Sequence, residues 1–291
     1  VTPNQRNHPY AGPTALRILL GSQLRKLREA KGVTREEAGH LIRGSESKIS
    51  RMELGRVSFK ERDVSDLLTL YGVADSKARQ AVLDLVVQAN EPGWWQRFND
   101  LLPTWFQSYV GLEEAASRIR TYEVQFVPGL LQTKEYARAV VTAGVAGISQ
   151  DEIARRVDLR LERQRVLDRP DGPIFWAVID EAALRRPIGG GEVMKAQLEH
   201  LIDLMRQPRI TIQVMPFSFG GHSAEGGAFS ILRFPDPDLP DVVYVEQLAS
   251  ALYLDKRDEV DRYSQVMERL CAVSTTPDET VELLRSIAEE F

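Results

Sequence analysis

The sequence predicts a mainly α protein with a smaller α+β part: a five-helix N-terminal domain, then a C-terminal α+β domain with a small sheet. Three observations carry this. From about residue 14 to residue 90, apolar residues recur at helical spacing, and two of the stretches open on a capping residue. Glu91-Pro92-Gly93 then breaks the pattern. Continuous apolar, β-rich runs come only well after that break.

Residues 1–13 contain Pro3, Pro9, Gly12 and Pro13 with little apolar content, and read as a flexible arm. Leu16, Leu20, Leu24 and Leu27 form the stripe of a helix over 16–30, ended by Lys31-Gly32. Thr34 and Glu37 form a capping box: the hydroxyl accepts from the Glu37 amide and the carboxylate reaches back. That helix is short, reaching about Ile42. Arg43-Gly44-Ser45 is a tight turn with Gly44 expected at positive φ. Ser45 caps a third helix over 46–54, stopped by Gly55. A fourth covers 60–71 and a fifth 76–90. The expected divisions are an arm (1–13), a helical domain (14–91) and an α+β domain (92–291).

Past the break, Trp94, Trp95, Phe98, Trp105, Phe106 and Tyr109 crowd together. Helical patterns follow at about 111–120, 133–143 and 150–168. Strands are expected at 174–179, 210–215, 229–234 and 242–245, with 252–254 a weaker candidate. A helix over 191–207 lies between the first two strands. Helices over 256–272 and 278–290 follow the last. Helices first and a sheet after them point to α+β.

No apolar run approaches the ~18–20 residues of a membrane helix, so no membrane partner is expected. Cys271 is the single cysteine, which excludes an internal disulfide and a Cys-based zinc site. With a polar N-terminus unlike a secretion leader, this reads as a cytoplasmic setting. His8, His40, His200 and His222 offer no i,i+4 ligand pair. No metal or cofactor is expected. Residues 1–62 carry 13 Lys/Arg against six Asp/Glu, and residues 63–291 carry 24 against 36. A basic head on an acidic body implies that the head alone meets a polyanion.

Residues 34–55 have the spacing of a helix-turn-helix. Such a motif needs a short bracing helix, a tight turn, and a second helix whose polar outer face enters the major groove. Ala38, Leu41, Ile49 and Met52 are expected to form the inner face. Glu46, Ser47, Lys48 and Arg51 lie on the outer face of the third helix. Lys48 and Arg51 can donate to guanine O6/N7, and Glu46 can accept from cytosine N4. Arg56, Lys60 and Arg62 follow and suit phosphate contacts.

Ile49-Ser50-Arg51-Met52-Glu53-Leu54-Gly55 resembles the I-S-x-x-E-x-G of phage-repressor-like (Xre-like) helix-turn-helix domains. The resemblance extends through 47–73, EPGWW (91–95), RTYEVQFVPGLLQTKEYARAV (120–140), WAVIDEAALRRP (176–187) and DLPDVVYVEQLASALYLDK (238–256). Together these resemble actinobacterial, Streptomyces-type regulators with a C-terminal domain of the DUF5753 type. The resemblance implies that Arg35 touches DNA backbone or an outer base, and that Glu46, Ser47, Lys48 and Arg51 face bases. The family pattern has alanine and then glycine where this chain has Gly39 and Arg43, with the glycine function displaced to Gly44.

No catalytic constellation stands out, and no enzyme is expected. Asp180-Glu181 reads as a helix cap rather than an acid pair. Residues 220–227 are glycine-rich, either a flap over a pocket or a plain loop, and His222 within them forms no triad by itself. Cys271 reads as core. The aromatic cluster is either core or the wall of a pocket, and Val127-Pro128-Gly129-Leu130-Leu131 is an apolar turn into a helix. The expected function is a sequence-specific regulator binding double-stranded operator DNA as a homodimer. The resemblance implies a signal at the second domain, from a small-molecule effector or a small partner protein. The alternative is an antitoxin-like protein that sequesters a small partner and autoregulates.

Overall fold

A proline at the first helical position and a glycine just past the last set the limits of α1 (Pro13–Lys31). The computed structural model describes residues 12–144, 147–235 and 239–291. Most of the expected N-terminal arm lies outside the described residues, and Pro13 belongs to the helix. The Thr34/Glu37 capping box opens α2 (Arg35–Leu41). The Ser45 hydroxyl accepts from the Lys48 amide to open α3 (Glu46–Glu53). α4 (Glu61–Leu70) and α5 (Ser76–Ala89) follow, the latter capped by Asp75. These helices enclose a core that includes Leu20, Leu24, Ala38, Ile42, Ile49, Met52, Phe59, Val64 and Leu67. Burying each large aliphatic side chain contributes roughly 1.5–3 kcal/mol.

Two details differ from expectation. Leu41 is 44% exposed, and Ile42 at 6% takes its place in the core. The inward stripe of α2 is set by Ala38, and i+4 from there is Ile42, not Leu41. The second concerns the turn. Arg43, not Gly44, takes the left-handed conformation, with φ 52°. A side chain with a Cβ strains there, at about 1–2 kcal/mol. Arg43→Gly is therefore expected to stabilise the folded chain by about 0.5–1 kcal/mol, net of glycine's larger unfolded-state entropy. Urea unfolding monitored by circular dichroism reads this; a lower midpoint would show that Arg43 makes contacts worth more than the strain. Gly55 is required outright: its φ is +63°, and a Cβ would lie 2.6 Å from the Ile18 amide nitrogen of α1.

The described residues fall into two compact units. The first holds 12–97, 107–115 and 239; the second holds 98–106, 116–235 and 240–291. The second unit is built on a six-stranded sheet ordered β3-β2-β1-β4-β5-β6. Its strands are β1 (Arg118–Glu123), β2 (Ile174–Asp180), β3 (Ile210–Met215), β4 (Phe229–Arg233), β5 (Val242–Glu246) and β6 (Ala251–Leu254). The first three are mutually parallel and the rest antiparallel to their neighbours. Its helices are α7 (Lys134–Gly144), α8 (Gln150–Asp168), α9 (Glu181–Arg185), α10 (Gly191–Leu204), α11 (Arg257–Val273) and α12 (Pro277–Glu289), while most of α6 (Thr104–Ala115) falls in the first unit.

The helix expected over 111–120 is corrected here. α6 ends at Ala115, and Arg118 already starts β1. That strand reads Arg-Ile-Arg-Thr-Tyr-Glu, with too few apolar residues to announce a central strand. Its polar side chains find partners far along the sequence: Arg120 donates to Ser264 of α11, and the Thr121 and Ser230 hydroxyls meet at 3.0 Å. One face of β1, β4 and β5 is apolar, with Tyr122, Phe229, Ile231 and Val243 packed with Val260, Met267 and Leu270 of α11. Tyr122 pairs with Phe229 and Thr121 with Ser230, so the opposite face carries the hydroxyl row.

Candidate nucleic-acid interface

The α3 helix is held from beneath by a buried carboxylate. Glu53, in its last turn, is 5% exposed and Arg28 of α1 is 7% exposed. Arg28 donates through Nη2 to Glu53 Oε2 at 3.2 Å and through Nη1 to the Val33 carbonyl at 2.9 Å. Arg35 of α2 donates through Nε to the same Glu53 Oε2 at 2.9 Å. One carboxylate thus ties α1 and α2 to α3. The hydrogen bond to Glu53 raises the Arg28 guanidinium pKa above its ordinary value, against the effect of burial. The Tyr71 phenol nearby is pushed up to about 12, first by burial and then by the Glu53 charge. Charge-assisted bonds of this kind are stronger and more directional than neutral ones.

On the opposite side of α3, Glu46, Ser47 and Arg51 are exposed. Arg51 Nε lies 3.3 Å from the Ser47 carbonyl one turn back, so its guanidinium runs along the helix surface. Lys48 is placed differently. It is half-buried, and its Nζ lies 2.6 Å from Asp63 Oδ2 of α4. Arg35 likewise spends its Nε on Glu53. Arg56 and Lys60 lie exposed just beyond α3, and Arg43 is exposed on the turn before it. The expected residues therefore divide. Glu46, Ser47, Arg51, Arg56 and Lys60 present to solvent, while Arg35 and Lys48 are committed to carboxylates. Sequence reasoning missed the roles of Arg28 and Asp63. Glu53 carried a signal: a charged residue three past Ser50 at a position that faces the core side.

In the second unit, Asp180 caps α9, accepting from the Ala182 amide at 2.9 Å. Glu181 turns elsewhere, accepting from the Phe217 amide and from Arg185. The two carboxylates serve separate structural bonds. His222 does gain partners. The Tyr122 hydroxyl lies 2.9 Å from His222 Nε2 and donates to Asp180 Oδ2 at 3.3 Å. The Ala224 amide donates to His222 Nδ1 at 3.3 Å, which places the neutral ring's proton on Nε2. Burial and the Asp180 charge raise the Tyr122 phenol pKa, so it serves as a hydroxyl link. These hydrogen bonds pin the glycine-rich loop to the sheet. The Cys271 thiol is pushed up by burial, the opposite of activation. Trp95, Phe98 and Tyr109 are buried, while Trp94, Trp105 and Phe106 are half-buried. No described helix is long and apolar enough to cross a membrane.

Residues 19–81 match the family model of a helix-turn-helix domain, the DNA-binding part of a regulator. Residues 106–286 match the family model described as a domain of unknown function, DUF5753. No curated protein and no solved structure matches the chain.

Proposed function

The chain belongs to the DUF5753 family, and from that premise we propose that it is a sequence-specific, Xre-like transcriptional regulator. It binds operator DNA as a homodimer through residues 14–91, and residues 92–291 receive a small-molecule or small-protein signal without turning it over. The observation that carries the reading is the exposed row Glu46, Ser47 and Arg51 on a helix pinned by a buried carboxylate. Such a helix presents base-reading side chains on a rigid support. Arg56 and Lys60 serve the backbone as phosphate contacts. In this reading Lys48 exchanges Asp63 for DNA, and Arg35 acts mainly by positioning α3. One recognition helix covers only a few base pairs, so tight specific binding calls for two half-sites.

The test begins with duplexes selected by the wild-type protein from a random-sequence library. Arg51→Ala is expected to weaken binding to them by about 1–3 kcal/mol and to relax preference at one base position. Gel shift and reselection read both. An unchanged base preference would remove Arg51 from the readout. Binding is also expected to fall steeply with salt, as phosphate contacts release counterions.

A second reading is favoured by the acidic balance of residues 63–291, 24 Lys/Arg against 36 Asp/Glu. An antitoxin-like protein with that surface would capture a small basic partner by electrostatic complementarity. Co-purification of such a partner from the native host, with DNA binding serving only autoregulation, would favour it.

A further inference from the structure

The sheet of the second unit ends differently on its two sides. β3 is one edge and β6 the other. At the β3 edge the Val214 amide donates to Thr275 Oγ1 at 2.9 Å, and the Thr275 amide donates to the Val214 carbonyl at 2.9 Å. The connection from α11 to α12 thus closes that edge. β6 has β5 on one side and no strand on the other. The Gln247 amide donates to the Ser250 carbonyl at 2.9 Å across a two-residue turn, which fixes the phase of the ladder. Ser250, Leu252 and Leu254 therefore bond toward β5, and the amide and carbonyl of Ala251 point to the outer edge. Among the described residues no hydrogen bond reaches those two groups.

Natural sheets guard such an edge with lysine, proline or a bulge. β6 reads Ala-Leu-Tyr-Leu in unbroken register and has none of these. Leu252 is 49% exposed, and Leu248 on the turn is fully exposed. Leu252 pairs with Val245 and shares the face of Val243 and Leu254, the apolar face that packs on α11. That apolar face therefore runs out to the edge and ends there in solvent. Charge narrows the choice of occupant. Residues 63–291 carry 24 Lys/Arg against 36 Asp/Glu, so the bodies of two copies repel. Residues 247–254 hold no charged residue at all, so two copies can meet there without setting like charges together.

We propose that β6 is the dimer interface: it pairs antiparallel with β6 of a second copy about a two-fold axis, and the two sheets become one. The outward groups of Ala251 then find partners, and each Leu252 is covered by the edge of the other copy. A two-fold contact uses the same patch on both copies and closes on itself. The closed β3 edge keeps the joined sheet from growing further. The inference rests on the reading of the chain as a homodimer and names the surface that makes it one.

The test is sedimentation velocity of the full chain over a concentration series, with circular dichroism melting as the check on folding. Wild type is expected to sediment as a dimer at micromolar concentration. Leu252→Glu is expected to raise the dimer dissociation constant by about tenfold or more, since the axis sets two new carboxylates against each other. Ala251→Pro removes the outward amide, leaves the bonds to β5 in place, and is expected to have a similar effect. Phe217→Glu alters a 57% exposed side chain beyond β3, away from this edge, and is expected to leave the dimer at wild-type strength. A monomeric wild type overturns the homodimer reading and this interface with it. A wild-type dimer that survives Leu252→Glu overturns the interface alone. Dissociation by Leu252→Glu but not by a folded Ala251→Pro overturns the strand pairing. Equal dissociation by Phe217→Glu reports added charge rather than the edge and overturns it too. Should Ala251→Pro unfold, the contrast between Leu252→Glu and Phe217→Glu decides.

Discussion

Glu53→Ala is expected to destabilise the first unit by about 3–5 kcal/mol, because removing one partner of a buried ion pair strands the other charge. Arg28 is the stranded charge. Its guanidinium would keep the Val33 carbonyl and the half-exposed Glu29 carboxylate at 3.3 Å, but lose the buried carboxylate that neutralises it in the interior. Arg35, a third exposed, can turn to water and adds little to the loss. A domain this size has only about 5–15 kcal/mol of stability, so a large share disappears. DNA binding is expected to fall with it, since Glu53 ties α3 to α1 and α2. Urea unfolding of the full chain, followed by circular dichroism, reads the change. The double variant Arg28→Met/Glu53→Leu is expected to be much milder than Glu53→Ala, since an apolar replacement leaves no buried charge behind. Equal midpoints for wild type and Glu53→Ala would show that the triad holds nothing.

Glu123→Gln is expected to stabilise the second unit above pH 8 and to do little near pH 4.5. The Glu123 carboxyl is held up at about 8 by burial, then by the Glu246 charge, against 4.5 ordinarily. The folded state therefore binds its proton more tightly than the unfolded state does. Its contribution is most favourable below pH 4.5 and is lost as pH rises through 8. The full shift corresponds to several kcal/mol; partial solvent contact reduces the expected loss to about 2–4 kcal/mol. The Tyr136 phenol, which feels the Glu123 charge, is raised from its ordinary value and titrates above the window. Carboxylates whose pKa is lowered, such as Glu37 and Glu279 in their capping boxes, lose their effect only on the acid side. The difference in melting temperature between wild type and Glu123→Gln, measured from pH 5 to pH 9, isolates the term. A difference that stays flat across that range would place Glu123 in ordinary solvent. A variant that melts lower throughout would make its role structural.

Local signals made the first unit legible. A capping box acts within four residues, a glycine stop within one, and a helical stripe within two turns. So the starts of α2 and α3 follow from Thr34 and Ser45 without knowledge of their neighbours. The same holds for the apolar strands β2 and β3, whose residues are buried on both faces and show it in composition. The outer row of α3 was legible as well, since Glu46, Ser47 and Arg51 follow from helical phase once Ile49 and Met52 are placed inside.

What depended on distant partners was hidden. β1 is polar because its Thr121 and Arg120 are answered by Ser230 and Ser264, each more than a hundred residues away. The Asp63 partner of Lys48 comes from α4, fifteen residues further along, and Leu41 looked buried until the end of α2 turned Ile42 inward. Periodicity and capping are interactions of a residue with its own turn of chain, and they can be read along the sequence. The pairing of charges is an interaction across space, and it exists only after the chain has folded back on itself.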